Sequence, residues 1–436
     1  MASTYLSRTP ASAGNRKTFT ISTWIKLGKI QTSGAIFSAR SGSPWGILDI
    51  GTGDGVGSAH SLQFTVTAGV SPGVYTSQIF RDTSAWYHIV CAVDTTQATD
   101  SNRVKIYING IQSTLLSGNY PTLNQDTQFN STIAHYVGAE PTSSNYFDGS
   151  MAHYHFIDGT AYDASAFGEY DANGVWKIKT SPSVTYGTNG FFILKDGNSV
   201  TDQSPNTNNF TVGGGTLTNT EDSPSNVFAT LNALNKGSAI TLANGNLAWT
   251  QSASWNGVTG TLGMSVGKYY WEIKAGGVNP GGAIVVGVAG VNFDITSEPG
   301  SGTDSWRYRS DDGTKRNSTA SAYGDTWTSG DIIGIALDLD NSAIWFSKNG
   351  VWQNSATISE IENGTTTNSA FTNINELVVP VVGTYNSSSA SYINFGNGYF
   401  GTTAVASAGT NTSGIGIFEY DVPTGYTALC TKGLNL

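Results

Sequence analysis

Charged residues are scarce in this chain, with Asp, Glu, Lys and Arg making up 12% of 436 residues, against about a quarter in an ordinary soluble domain. Solubility must rest on neutral polar side chains. Only two cysteines occur, Cys91 and Cys430, far apart and without CxxC or metal-ligand spacing, so no disulfide framework organises the fold. Cys91 sits in an apolar run and is expected to be a buried free thiol. Clusters of Lys and Arg are missing, and the net charge of −10 with pI near 4.9 excludes a general attraction to phosphate backbones or anionic lipid. Neither nucleic acid nor a membrane is an expected partner. No run of about 18 apolar residues spans a bilayer, and the opening Met1 to Arg8 lacks the apolar core of a secretory signal. Long helical periodicity is absent too.

What is present is turn chemistry and aromatic mass. The 53 glycines and abundant Ser, Thr and Asn supply tight turns, while 11 Trp, 20 Tyr and 18 Phe argue against disorder. Short alternating runs predict strands at 19–25, 62–66, 86–93, 104–108, 151–157 and 191–194, and again at 269–273, 283–288, 332–339, 344–346, 377–382 and 391–395. The fold class is all-β. Length favours two compact domains or three small ones. The expected division is a sandwich over 1–195, a polar connection over 196–226, a second sandwich over 227–400, and a tail over 401–436 with one or two more strands.

The halves share a local pattern. In the first, Trp86 to Asp94 leads through a polar loop to Val104-Lys105-Ile106-Tyr107-Ile108-Asn109-Gly110; in the second, Asp331 to Asp340 leads to Ile344-Trp345-Phe346-Ser347-Lys348-Asn349-Gly350. Asn-Gly suits a type I′ hairpin because both residues tolerate positive φ. Both halves are therefore expected to be antiparallel sandwiches of similar plan.

On residues Phe19 to Lys26, Trp86 to Ile89 and Phe147-Asp148-Gly149-Ser150, the first half resembles the laminin-G/concanavalin A-like lectins. The second, through Gly267-Lys268-Tyr269-Tyr270-Trp271-Glu272-Ile273, Gly330-Asp331 to Asp340, Trp345 to Gly350 and Val379-Pro380-Val381-Val382, resembles SPRY domains. The resemblance implies two antiparallel jelly-roll-type β-sandwiches in tandem. The tandem, with the opening Tyr5-Leu6-Ser7-Arg8-Thr9-Pro10 and the closing Gly425-Tyr426-Thr427-Ala428-Leu429-Cys430, is similar to virion structural proteins (fibre, tail or decoration) of tailed marine bacteriophages. That implies a place on the virion surface, assembly inside the cell and release by lysis; an intracellular adaptor or a removed signal peptide would also fit the start. Laminin-G chains often carry an extra apolar strand before the first tyrosine. Its absence here predicts an open sheet edge able to pair with a neighbouring subunit.

Catalysis finds little footing. A glycosidase on this scaffold needs two carboxylates about 5–5.5 Å or 6.5–9.5 Å apart, and no Glu-x-Asp-x-x-Glu strand is found. Asp338 with Asp340, and Glu360 with Glu362, stand beside turns, where acids cap loops or face solvent. His153 and His155, two apart, are expected on the solvent side of an edge strand, without a third ligand for a metal. Asp49, Asp54, Asp94 and Asp148 are plausible loop acids for calcium, yet no dense acidic loop supplies six to eight oxygens. No cofactor is expected, with calcium left open.

Binding is the better fit to these residues. Sugars stack their C–H faces on aromatic rings and give hydroxyls to planar polar groups, so loop aromatics are the candidates: Trp45, Trp255, Trp306, Tyr308, Trp352 and Tyr385, with Arg307 and Arg309 in Asp304 to Asp312 the densest group. The alternative for Trp306 and Tyr308 is the core-facing side of another strand. Trp24, Trp86, Trp271 and Trp345 lie within strands and are expected in the core. The function expected first is a non-enzymatic fibre or tail adhesin holding host-surface glycan or receptor, displayed as a homo-oligomer, with a trimer as the guess, among other virion proteins. A capsid or tail decoration protein without a host ligand comes second, and a glycan-degrading enzyme third.

Overall fold

The computed structural model describes residues 4–51, 59–66, 73–116, 119–140, 145–195, 199–252 and 254–435. The chain divides into two compact units, Met1–Asn219 and Thr220–Leu436. Both are built almost wholly of antiparallel sheet, with one short α-helix described, Ile358–Glu362.

In the first unit one sheet runs in the order Leu115–Leu116, Val74–Ile79, Ser61–Thr65, Gly46–Gly51, Ser33–Ala39, His135–Val137, Tyr5–Arg8 and Thr211–Gly213. The facing sheet runs Phe191–Ile193, Gly149–Asp158, Thr18–Leu27, Trp86–Asp94, Val104–Ile108 and Ile111–Gln112. Phe19, Ile21, Ile25, Phe37, Leu48, Phe64, Ile89 and Ile106 fill the space between them. Cys91 lies in this core as a free thiol, its pKa raised by burial.

Alternation should leave the other side of Thr18–Leu27 polar and wet, yet almost the whole strand is buried. The chain returns after Asp158 and lays Tyr162, Phe167, Trp176 and Tyr186 over that face, against Val90 and Ile157. This second layer explains the composition of the strand. Thr20, Ser22 and Trp24 are outward-facing residues that nevertheless need partners: Thr20 Oγ1 donates to Thr160 O at 2.8 Å, and Ser22 Oγ meets His88 Nε2 at 2.9 Å.

The expected connection over 196–226 differs in the structure, because residues 199–213 belong to the first unit. Asp202 accepts the N–H groups of Phe192, Ser204 and Asn208, Phe210 packs on Phe191 with centroids 4.6 Å apart, and Thr211–Gly213 pairs with Tyr5–Ser7. The flank beside Tyr5–Arg8, expected to lie open, is occupied by the chain itself.

In the second unit one sheet runs Leu231–Lys236, Gly257–Gly260, Val378–Ser387, Val278–Gly290, Ser305–Arg309, Thr314–Asn317 and Thr319–Ala322. The other runs Ile240–Ala243, Ala248–Gln251, Ser391–Asn394, Lys268–Lys274, Ile332–Asp338, Ala343–Lys348 and Val351–Trp352. Trp249, Trp271, Val286, Ile335, Phe346 and Ile393 meet in the core between them. The expected tail over 401–436 is built into this unit: Thr427–Ala428 adds in parallel to Tyr269–Tyr270, and Phe418, Val422, Tyr426 and Cys430 pack on Tyr270 and Trp345. Each unit thus has a sheet covered on its outer face by the chain that follows it.

Candidate functional site

The Asp304 to Asp312 stretch forms the strand Ser305–Arg309, and strict alternation sorts its four notable side chains onto two faces. Trp306 and Tyr308 point into the core, at 2% and 0% exposure. Trp306 Nε1 donates to Asn373 Oδ1 at 2.9 Å, and the Tyr308 hydroxyl donates to Asp325 O within an aromatic group of Tyr323, Trp327 and Phe346. As binding residues these two are corrected. They read as accessible because acids and arginines surround them in sequence.

Arg307 and Arg309 take the opposite face, but only Arg309 reaches the surface. The loop after Gly290 folds back over the sheet and places Glu298 among three guanidiniums: Arg307 at 3.3 Å, Arg309 at 3.3 Å and Arg316 at 3.1 Å. Arg307 is enclosed there, donates to Thr314 O and Oγ1, and has its pKa pushed down to about 10 chiefly by burial. It is a structural ion pair and not a ligand contact, which corrects a third of the four. Arg309 binds Asp311 through two parallel bonds of 2.5 and 2.8 Å, which raise its pKa.

Held in that way, the Arg309 guanidinium carbon lies 5.3 Å from the centre of the Trp255 ring. Trp255 in turn stacks on Tyr385, with centroids 5.6 Å apart and planes at 29°. Sheet register explains the convergence: Tyr385 stands opposite Ala283, and Arg309 opposite Val285, on neighbouring strands. Between them Gly383 keeps the surface low; a Cβ there would come within 3.2 Å of Pro299 and Val285 and 2.7 Å of Asn256 O. Trp255, Tyr385 and Arg309, far apart in sequence, form one partly exposed ladder.

The remaining candidates lie elsewhere. Trp352 packs beside the covering C-terminal segment. Trp45 belongs to the first unit, where Arg40 lies 5.0 Å from its ring and pairs with Glu140. Sequence reasoning missed Glu298, although arginines at 307 and 309 called for a shared acid on one strand face. It also missed Glu272, fully buried, whose carboxylate accepts the N–H groups of Glu419 and Tyr420 at 2.8 and 2.9 Å and the Tyr270 hydroxyl at 3.1 Å. Burial raises its pKa to about 7.

The acid pairs considered for catalysis have structural partners. Asp338 is buried against Lys268 at 3.1 Å, Asp340 accepts Gly267 N, Glu360 completes a capping box with Thr357, and Glu362 accepts Thr424 N. His155 is not on an edge strand, since Gly149–Asp158 pairs on both sides. A register shift between Ala152 and His155 breaks the expected alternation; His155 is buried, stacked on Phe192 at 3.9 Å and bonded to the Tyr186 hydroxyl. Of the loop acids, Asp94 is engaged by Thr96, Gln97 and Thr18, Asp148 pairs with Lys29, Asp49 is buried, and Asp54 lies outside the described residues. Among the described residues no three metal-binding side chains gather.

Two domain families match. The concanavalin A-like lectin/glucanases superfamily matches residues 2–164 and the SPRY domain matches residues 268–398, so the chain carries the two in tandem. It is similar to the Ran-binding proteins 9/10 homolog of Drosophila melanogaster, 33% identical over 89 residues, which are 20% of this chain and 9% of that protein. It is also similar to the ATP-dependent RNA helicase DDX1 of Xenopus laevis, 31% identical over 124 residues, 28% of this chain and 16% of that one. The matches thus span only a small part of these relatives' length. Among solved structures, the SPRY domain of human HERC1 is 22% identical, with a TM-score of 0.29 over 36% of this chain and 91% of that one.

Proposed function

We propose that this chain is a non-catalytic recognition protein, a fibre or tail adhesin on a phage virion surface, whose second unit holds a host-surface glycan or receptor on the Tyr385–Trp255–Arg309 ladder. The observation that carries the reading is the ladder itself: two stacked, partly exposed rings and a guanidinium fixed by Asp311 and Glu298. Such a surface needs no reorganisation on binding. A site of two rings and one guanidinium offers few contacts, so a single copy binds weakly, and display in several copies supplies the avidity an adhesin needs. The virion placement rests on the resemblance of the tandem and of its opening and closing motifs. The name of the Ran-binding relatives gives loose support to a protein ligand.

A glycan array and a host-cell binding assay with the full chain test this, beside light scattering for the oligomer. Saturable binding lost in Trp255→Ala supports the reading, and binding retained in EDTA means that calcium plays no part. Silence on both assays favours the second reading, a decoration protein. One observation favours that alternative: Thr319–Ala322 is a fully exposed, uncharged strand at the end of its sheet, suited to pairing with a neighbouring virion subunit. Release of reducing ends from host polysaccharide would overturn the non-catalytic reading.

A further inference from the structure

The opening motif of the chain has a structural outcome that the ladder does not use. Tyr5–Arg8 lies between His135–Val137 and Thr211–Gly213, with Ser7 opposite both Tyr136 and Thr211. Leu6 turns into the core, at 3% exposure. Alternation therefore sends Tyr5 and Ser7 outward, beside Tyr136 and Thr211.

These side chains line an open groove of about 460 Å³, together with Arg8, Thr9 and Asn209. Tyr5 and Tyr136 meet edge to face at 5.8 Å and 69°, a V-shaped corner, and Tyr146 stands behind Tyr5 at 6.3 Å. Gly213 leaves room for it: a Cβ there would lie 2.4 Å from the Tyr5 ring. From Tyr5 to Thr9 the lining runs about 13 Å, at about 3.4 Å per residue. That length takes about four residues of polyproline II helix, which rises about 3.1 Å per residue.

The polar groups of the groove are arranged to donate. Asn209 Oδ1 accepts the N–H of Asp202 at 2.9 Å, so its Nδ2 is the atom left for a ligand. Ser7 Oγ and Thr211 Oγ1 stand 3.3 Å apart, and the half-buried Tyr5 and Tyr136 add two phenol hydroxyls. A proline-rich chain matches this set: its carbonyls accept hydrogen bonds, and each proline lacks an N–H. Proline rings also lay C–H surface on the negative faces of aromatic rings, and aromatic-lined grooves read the preformed polyproline II helix in this way.

Charge and shape weigh against other peptides. Of the lining residues Arg8 alone carries a formal charge; its guanidinium donates to Asn208 Oδ1, and Asp202 answers its charge. An acidic segment gains little from a cation already engaged, and a basic one is repelled. Ala134 is the one aliphatic side chain of the lining, too little to bury the apolar face of a helix.

We infer that the first unit carries a second recognition site, a groove for a neutral, proline-rich segment of a partner protein, formed by Tyr5, Tyr136, Ser7, Thr211 and Asn209. It stands independently of the ladder, because none of these residues belongs to the second unit. The groove uses the chain's start and the segment after residue 199 together, so neither stretch forms it alone.

The test is calorimetry and saturation-transfer NMR on the full chain, with an acetylated, amidated decaproline as the probe and a Gly-Ser peptide of equal length as the reference. The decaproline is expected to bind saturably and the reference to show no binding. Tyr136→Ala is expected to weaken the decaproline about tenfold, through loss of one aromatic wall. Thr211→Val removes a hydroxyl from an exposed strand position and keeps the β-branched shape. It is expected to weaken binding severalfold with little change in melting temperature, which separates loss of the site from loss of the fold. Trp255→Ala is expected to leave this binding intact. A decaproline that does not bind overturns the inference, as does equal binding of the reference, binding unchanged in both groove variants, or binding abolished by Trp255→Ala alone.

Discussion

Asn349 turns its Oδ1 back to accept the backbone N–H of Ile332 at 2.8 Å. The first unit repeats the bond between Asn109 and His88, also at 2.8 Å. Both asparagines hold φ at 48°, and the glycines after them hold φ at 80° and 85°. Each glycine lies beneath an aromatic ring of the covering segment, Tyr420 over Gly350 and Trp176 over Gly110. The two hairpins are thus the same device, locked from below by an amide and from above by a ring.

Gly350→Ala should test that lock. The new Cβ would lie 2.7 Å from the Tyr420 ring at a φ that L-residues disfavour, so a loss of about 2 kcal/mol is expected. The urea midpoint is the measurement.

Glu272 predicts a pH dependence for the second unit. Its folded pKa of about 7 lies above the ordinary 4.5, so folding takes up a proton between these values. Stability from this group is fully present below pH 4.5 and is lost as pH rises to about 7, a difference of about 3 kcal/mol. Urea midpoints from about pH 4.5 to about 7.5, compared with those of Glu272→Gln, isolate the effect; the variant's profile is expected to be flatter.

The first unit carries the opposite sign. Burial lowers His88 to about 3 and His135 to about 4, so both are neutral in the folded chain while the unfolded chain protonates near 6.5. Their contribution is present above about pH 6.5 and lost as pH falls toward about 4. Hydrogen exchange at about pH 6.5 and about pH 4.5 is expected to show protection declining in Trp86–Asp94 while Lys268–Lys274 does not follow.

Trp306→Ala and Trp255→Ala should separate core from surface. The first empties a buried site and is expected to cost about 3–5 kcal/mol; the second is expected to cost under about 1 kcal/mol. Denaturation midpoints that fall equally would count against the division of faces described for Ser305–Arg309.

Glu298→Ala should be nearly as damaging as the core change, although no apolar contact is removed. It leaves Arg307 charged and enclosed without its carboxylate, a loss of about 3 kcal/mol or more, and Arg307→Met in the same chain is expected to restore part of it. A double-mutant cycle in urea reads the coupling.

Strand positions were legible in the sequence wherever alternation ended in a turn signal, as at Val104 to Gly110 and Ile344 to Gly350. Less legible was which side of a strand meets solvent. Both outer faces are covered by later chain, so Trp24 and Trp345 are buried on the side that alternation assigns to water. The polar stretch after residue 199 read as a connection because it is secured by Asp202 and Asn208 hydrogen bonds more than by apolar pairs. Within the candidate site, Trp255, Tyr385 and Arg309 were each legible as candidates, although Tyr385, read as a loop residue, lies on the strand Val378–Ser387 and Arg309 ends the strand Ser305–Arg309. Their meeting depends on register across three strands, which no local pattern encodes.

Thr211–Gly213 also governs how the halves behave when separated. A fragment ending at residue 195 would bare the backbone flank of Tyr5–Ser7 and leave the Phe191 ring without Phe210, inviting copies to zip together through the vacated place. One ending at Asn219 keeps its own closing strand, and should stay dispersed at concentrations where the shorter piece precipitates.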